Sequence, residues 1–304
     1  MKKRHLTSIL AITAVASLAL AGCASGDTAK PGDKPAGDGE AKGTITLGFL
    51  PSWTDGLSTA YLLQDQLEKM GYTVKMNTLT EAGPLYTGLS KGDVDIYPSA
   101  WPELTHKSYM DKFGDKIEDL GKYYDNAKLT ITVPEYTKID SIADLKGNAD
   151  MFGGKIIGIE PGAGLTKQTQ EKMLPEYGLE GEYELVTSST AAMLTELKKA
   201  TDAKKDIVVT LWRPFWANDA YPIKDLKDPK GAMGEPEGLH FLGTKGFSEK
   251  NADAAEFIKK IKLNDEQYGA LEGLVTSDEY KDKTADAVDK WLEEYGDQID
   301  WLVK

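Results

Sequence analysis

Residues 44–50 read TITLGFL, with polar and apolar side chains alternating at the period of two that a half-buried strand requires. Just beyond it, Ala60, Leu63, Leu67 and Met70 recur at helical spacing and the pattern stops at Gly71, so the folded part is predicted to begin with a β-α unit. Further strands are predicted at 73–78, 93–97, 127–133, 155–159, 183–186, 206–212 and 239–242. Between them lie amphipathic stretches such as 165–173, 190–200 and 251–261. Strands alternating with helices predict an α/β fold. No internal repeat is evident.

Two strand-like runs, AKLTITVP (127–134) and LHFLGTKGF (239–247), bracket a block with strands and helices of its own. The pattern predicts a two-lobe molecule, each lobe a sheet flanked by helices. The chain leaves lobe one near residue 130, builds lobe two, and returns near 240. Two crossings of this kind make a hinge, and hinge closure around a ligand is an established use of such a layout. Lobe one is therefore assigned residues 44–130 plus 240–304, and lobe two residues 131–239. The chain beyond residue 43 exceeds the usual domain size of about 100–150 residues, and its 40% apolar content suffices for two cores.

The start of the chain departs from this pattern. MKKRHLTSILAITAVASLALAGC combines a basic opening (Lys2, Lys3, Arg4), an apolar run from Ile9 to Ala21 and small residues before a cysteine, the layout of an export signal over residues 1–22. The run is shorter than the roughly 20 apolar residues that span a bilayer. Leu20-Ala21-Gly22-Cys23 resembles the bacterial lipobox, which implies lipidation of Cys23, and a diacylglyceryl thioether supplies the second chain that stable anchoring needs. Cys23 is the only cysteine, so no disulfide forms within the chain. Residues 24–43 carry Gly, Pro, Ala and charge but no large apolar side chain, and 23–43 are read as lipid attachment plus flexible linker. The expected location is extracytoplasmic, tethered to the cell membrane.

Lys and Arg number 36 against 49 Asp and Glu, and loss of the signal removes three more positive charges. This balance argues against nucleic acid and against an anionic membrane surface as partners. Enzyme signatures are sparse. With His5 in the signal, only His106 and His240 remain, and there is no H-E-x-x-H, no G-x-S-x-G and no P-loop. No cofactor or metal is expected. GIEPGAG (158–164) joins a strand to a helix but lacks the G-x-G-x-x-G spacing, so it is read as a tight turn rather than a phosphate cradle.

Tryptophans carry more information. Trp291 and Trp301 sit in an amphipathic C-terminal stretch and are assigned to the core. Trp53 in FLPSWTDG, Trp101 in DIYPSAWPEL, and Trp212 with Trp216 in IVVTLWRPFW instead follow predicted strands, each with a proline within two residues. Ligands of open α/β sheets bind at such strand ends, and proline stiffens the loop presenting the ring. Trp212 is read as a wall of a binding cage and Trp216 as its packing support. Arg213 is left to serve a carboxylate or the surface.

GDVDIYPSAWPEL, AKLTITVP, KIIGIEPGAG, SSTAAMLTELKKA and IVVTLWRPFW resemble, in order and over nearly all of residues 44–300, segments of the substrate-binding proteins of ABC importers for glycine betaine, choline and related quaternary amines. The resemblance implies a type II periplasmic-binding-protein fold, no catalysis, and delivery of an osmoprotectant such as glycine betaine to a membrane permease with its ATPase. Choline is the alternative ligand, and an extracellular lipoprotein enzyme a more distant one. In the family, aromatic side chains from both lobes enclose a trimethylammonium group. By position, the resemblance assigns this role to Trp101, Trp212 and Trp53. Leu129 stands where choline binders have an aromatic, and Leu263 where betaine binders of this branch place a third tryptophan. The chemistry agrees, because a quaternary ammonium has no N–H to donate while an indole face is apolar and carries a negative quadrupole. The other pole of the ligand is assigned to WTDGLS. Asp55 either faces the pocket, which favours choline, or caps the following helix and leaves the amides near Gly56 and Leu57 for a betaine carboxylate. An aspartate just before glycine and an apolar periodic run favours the capping reading.

Overall fold

A computed structural model describes residues 42–303; the export signal, Cys23 and almost all of the linker lie outside the described residues. Nine strands form one sheet in the order β2-β1-β3-β9-β4-β7-β5-β6, with β8 also pairing β4. They are β1 (Thr44–Phe49), β2 (Thr73–Thr78), β3 (Ile96–Ala100), β4 (Ile117–Pro134), β5 (Lys155–Ile157), β6 (Glu184–Val186), β7 (Val209–Arg213), β8 (Ile223–Asp225) and β9 (Glu237–Thr244). β1 runs parallel to β2 and β3, as β5 does to β6 and β7, while β4 and β9 are antiparallel to their neighbours.

The 18-residue strand β4 organises the sheet. Ile117 to Ala127 pair with β9, and from Lys128 onward the same strand pairs with β7 and then β8. One continuous strand thus joins the half built from β1, β2, β3 and β9 to the half built from β5 to β8. Its first part, IEDLGKYYDN, is missing from the predicted strands. Register shifts between Asp119 and Gly121, Lys122 and Tyr124, and Tyr124 and Ala127 break the period of two there. At the first shift Gly121 adopts φ 129°, and its amide donates to Asp119 at 2.9 Å. The three-residue strand β8 is also unpredicted.

Where burial is one-sided, the periodicity translates directly. Helix α1 (Thr54–Lys69) buries Leu62, Leu63, Gln66 and Leu67, and the chain reverses at Gly71 with φ 94°. The predicted stretch 190–200 is the helix Thr190–Asp202, and 251–261 is the helix Ala252–Lys260. The stretch 165–173 is less regular: an α-helical turn Gly164–Gln168 passes into a π-helical turn Thr169–Met173.

Trp291 and Trp301 belong to the core, as their amphipathic setting predicts. Trp291 is fully buried, and its indole N–H donates to the Gln267 carbonyl at 2.8 Å. Trp301 donates to the Lys262 carbonyl at 3.1 Å. Replacing Trp291 by alanine is expected to lower the unfolding free energy by about 3–5 kcal/mol, read from the urea midpoint, while the ligand affinity of the folded fraction stays unchanged.

Candidate functional site

Three indoles meet at the strand ends. Trp53 precedes α1 on the loop from β1, Trp101 directly follows β3, and Trp212 lies within β7, one residue before the cis Arg213–Pro214 bond. All three line one cavity. Leu129, Ile159, Ala163, Gly164 and Leu165 complete its apolar wall; the polar lining residues are Asp55, Thr105 and His106. No lysine or arginine lines it.

The two indoles from the first half are each held by a carboxylate. Trp101 donates its ring N–H to Asp55 Oδ2 at 3.1 Å, and Trp53 donates to Glu160 Oε2 at 3.1 Å. The backing of Trp212 is Phe215, whose ring stacks on it at 4.0 Å. Trp216 packs on Phe215 and Tyr221 instead, so the supporting role assigned to Trp216 from sequence belongs to Phe215. Leu129 lines the cavity; Leu263 does not, its amide bonding the Tyr123 carbonyl at 2.9 Å beside the C-terminal helices.

Asp55 decides the polarity of the site, and it combines the two readings: its carboxylate lines the cavity and also accepts from first-turn amides. The helix cap is Trp53, which makes no side-chain cap hydrogen bond, and Asp55 lies within the first turn. Its carboxylate, buried to 3% exposure, accepts from the Ser99 hydroxyl at 2.7 Å as well as from Trp101. Ser99 in turn accepts from Tyr123, whose hydroxyl meets that of Tyr268. Desolvation raises the Asp55 pKa, partly offset by the Ser99 and Trp101 hydrogen bonds. Gly56 and Leu57 do not line the cavity. The Leu57 amide already donates to the Trp53 carbonyl at 3.0 Å, and the Gly56 amide serves the Asp55 carboxylate. The free amide pair expected for a ligand carboxylate is therefore absent at these positions.

The loop after Trp101 is tightly preorganised. Glu237, the first residue of β9, accepts from the amides of Glu103 (3.1 Å), Leu104 (2.9 Å) and Thr105 (2.9 Å) and from the Thr105 hydroxyl. His106 closes the loop: its amide donates to the Trp101 carbonyl at 2.7 Å, and its Nδ1 accepts from the Trp101 amide at 3.1 Å. Burial drives the imidazole pKa down to about 3, so the ring is neutral and stacks on Trp53 at 6.1 Å.

Sequence reasoning missed Glu160, Glu237 and His106. Glu160 comes from the GIEPGAG turn, is 4% exposed, and accepts from Thr190 through both amide and hydroxyl and from Ser52 at 3.3 Å, besides Trp53. Nothing in its local sequence separates it from a surface glutamate. Arg213 is resolved as a surface group: it pairs with Asp225 at 2.6 Å and stays outside the cavity. Among the described residues no cluster of His, Cys, Asp and Glu could hold a metal ion, and no helix is long and apolar enough to cross a membrane.

A mixed α/β sheet flanked by helices is the fold of the type II periplasmic binding proteins. Residues 43–294 match the family described as the substrate binding domain of ABC-type glycine betaine transport systems, and the chain belongs to that family, one of transport rather than catalysis. The glycine betaine/carnitine transport binding protein GbuC of Listeria monocytogenes is 39% identical over 104 residues, a match that spans only 34% of this chain and 34% of that one. The glycine betaine/L-proline-binding protein ProX of Borrelia burgdorferi superposes with a TM-score of 0.78 at 31% identity, over 86% of this chain and 97% of that one. Lactococcal OpuAC complexed with glycine betaine gives 0.76 at 28%, over 86% and 99%.

A fourth buried carboxyl, Glu272, feels the Asp55 charge. Glu272 accepts from the Thr54 hydroxyl at 3.1 Å, and burial, aided by the Asp55 charge, pushes its pKa up to about 8 from 4.5. The folded state then holds a proton that the unfolded state releases, so the stability tied to Glu272 is full below about pH 4.5 and is lost as pH rises through 8. Glu272→Gln is expected to remove that loss and gain stability relative to the wild type between pH 5 and 8 in urea titrations. Parallel curves for the two proteins would contradict the assignment.

Proposed function

We propose that this protein is a lipid-anchored, extracytoplasmic receptor that captures a quaternary ammonium compound between Trp53, Trp101 and Trp212 and hands it to an ABC permease. Residues 44–130 plus 240–304 and residues 131–239 act as lobes that shut on the ligand. The export signal and Cys23 support the anchor, and family membership supports the permease and its ATPase. Cation–π contacts in a desolvated site contribute about 2 kcal/mol or more each, so three indoles supply about 6 of the roughly 8 kcal/mol that micromolar binding requires. Donation of the Trp53 and Trp101 N–H groups to carboxylates leaves the ring faces for the cation.

One observation selects the ligand. The cavity is lined by a buried aspartate and by no basic side chain. At about 4 Å and an effective dielectric near 20, two unit charges interact by about 4 kcal/mol. That energy favours a cation and opposes a carboxylate, while a hydroxyl can donate to Asp55. Choline therefore fits the geometry better than glycine betaine, the ligand favoured by the sequence. Glycine betaine remains the second reading, supported by the family and by the glycine betaine complex of lactococcal OpuAC. It requires a protonated Asp55 as donor to the carboxylate.

The two ligands separate by pH. Choline affinity is expected to rise as pH climbs above the ordinary aspartate value of 3.8, whereas glycine betaine affinity falls as Asp55 ionises. In isothermal titrations, Asp55→Asn is expected to weaken choline at least tenfold, the equivalent of about 1.4 kcal/mol, and to leave glycine betaine equal or tighter. Trp212→Ala weakens either ligand by about 2 kcal/mol. Unchanged choline binding by the Asp55 variant would return the assignment to glycine betaine.

A further inference from the structure

We infer that Gly164 is the position at which a missing side chain allows the two halves of the molecule to shut. This rests on the closure reading above. Gly164 opens the helical turn Gly164–Gln168 on the second half and lines the cavity. A Cβ built on it stands 2.0 Å from the carbonyl oxygen of Thr105 and 2.6 Å from its carbonyl carbon, on the first half. Real Cβ atoms essentially never come under 3.0 Å, so a methyl group here demands a displacement of about 1 Å.

Neither partner can yield by rotating a side chain. The obstacle is the Thr105 backbone, held by Glu237 through the Thr105 amide at 2.9 Å and through the neighbouring amides of Glu103 and Leu104. The next residue, His106, is fixed by its amide on the Trp101 carbonyl at 2.7 Å. Nor does the conformation of residue 164 itself call for glycine, since its φ lies outside the left-handed range. At the start of a helical turn alanine is the better helix former, by about 1 kcal/mol. The one demand for glycine thus comes from the opposing half of the molecule.

Gly162 supplies an internal contrast. It faces the first half too, its amide donating to Glu81 at 3.2 Å and its carbonyl accepting from Tyr109 at 2.7 Å. A Cβ there comes under 3.0 Å only to the carboxylate tip of Glu81, at 2.7 Å, with the Tyr109 hydroxyl at an ordinary 3.5 Å. That tip is the end of a flexible side chain and can move aside. Two glycines in one turn therefore differ in what they face, backbone for one and a mobile carboxylate for the other.

Displacement of the second half carries Trp212, Ile159 and Leu165 away from Trp53 and Trp101 and lets water reach the cavity. Cation–π attraction weakens as the site is wetted, so affinity falls although no lining side chain is removed. The test compares wild type, Gly164→Ala and Gly162→Ala by calorimetric titration with choline and with glycine betaine, by X-ray scattering with and without saturating ligand, and by thermal melting without ligand. Gly164→Ala is expected to melt like the wild type without ligand, to bind at least tenfold more weakly and to contract less on binding; Gly162→Ala is expected to stay within about threefold in affinity. Wild-type affinity and contraction in Gly164→Ala overturn the inference. So does weak binding with full contraction at saturation, which puts the methyl against the ligand, and so does a large loss of unliganded stability, which makes the Thr105 contact part of one rigid body. If the wild type contracts with neither ligand, the closure reading itself fails.

Discussion

A cation without a hydrogen to donate must be held in a dry place, and every polar group around that place then has to be satisfied without water. Four buried carboxyls surround the cavity or lie just behind it: Asp55, Glu160, Glu237 and Glu272. None is matched by a lysine or arginine among the described ion pairs. Their partners are neutral donors: the indoles of Trp53 and Trp101, the hydroxyls of Ser99, Thr190, Thr105 and Thr54, and backbone amides. An arginine in the same place would cancel the negative potential and turn the cavity toward anions. Neutral donors satisfy the oxygens and leave the charge of Asp55, when ionised, available to a cation.

The same hydrogen bonds set the geometry of the walls. Asp55 aims Trp101, Glu160 aims Trp53, and Glu237 with His106 freezes the loop between Trp101 and Lys107. Trp212 depends on packing instead, with Phe215 against its ring. The difference follows from position. Trp53 and Trp101 stand on loops that need polar anchors, while Trp212 is already fixed by its pairing with Leu129 across β4 and β7. That pairing also places Leu129 in the wall beside Trp212, where an aromatic is expected from the resemblance to choline binders.

Glu160 bridges the two halves. It belongs to the segment after β5 and bonds Thr190 on its own side, yet it also holds Ser52 and Trp53 from the side of β1. One indole of the first half is thus oriented by a carboxylate of the opposite half. In the proposed closure, glycine at 164 leaves room for the approach and glutamate at 160 adds hydrogen bonds across it.

By itself, the sequence determined the alternation of strands and helices and placed the strand ends that carry Trp53, Trp101 and Trp212, because hydrophobic period and proline-stiffened loops are local properties. It also separated Trp291 and Trp301 from the other tryptophans by their amphipathic setting. Register shifts in 117–127 hid half of β4, since a bulge erases the period that marks a strand. The tertiary structure alone decided the direction of Asp55, which local helix-start rules assigned to a cap and which Ser99 and Trp101, 44 and 46 residues away, draw into the cavity. It likewise decided the roles of Glu160, Glu237 and Gly164, whose partners lie between 30 and 134 residues away in several cases. A side chain's burial and hydrogen-bond partners are long-range properties, and no window along the chain contains them.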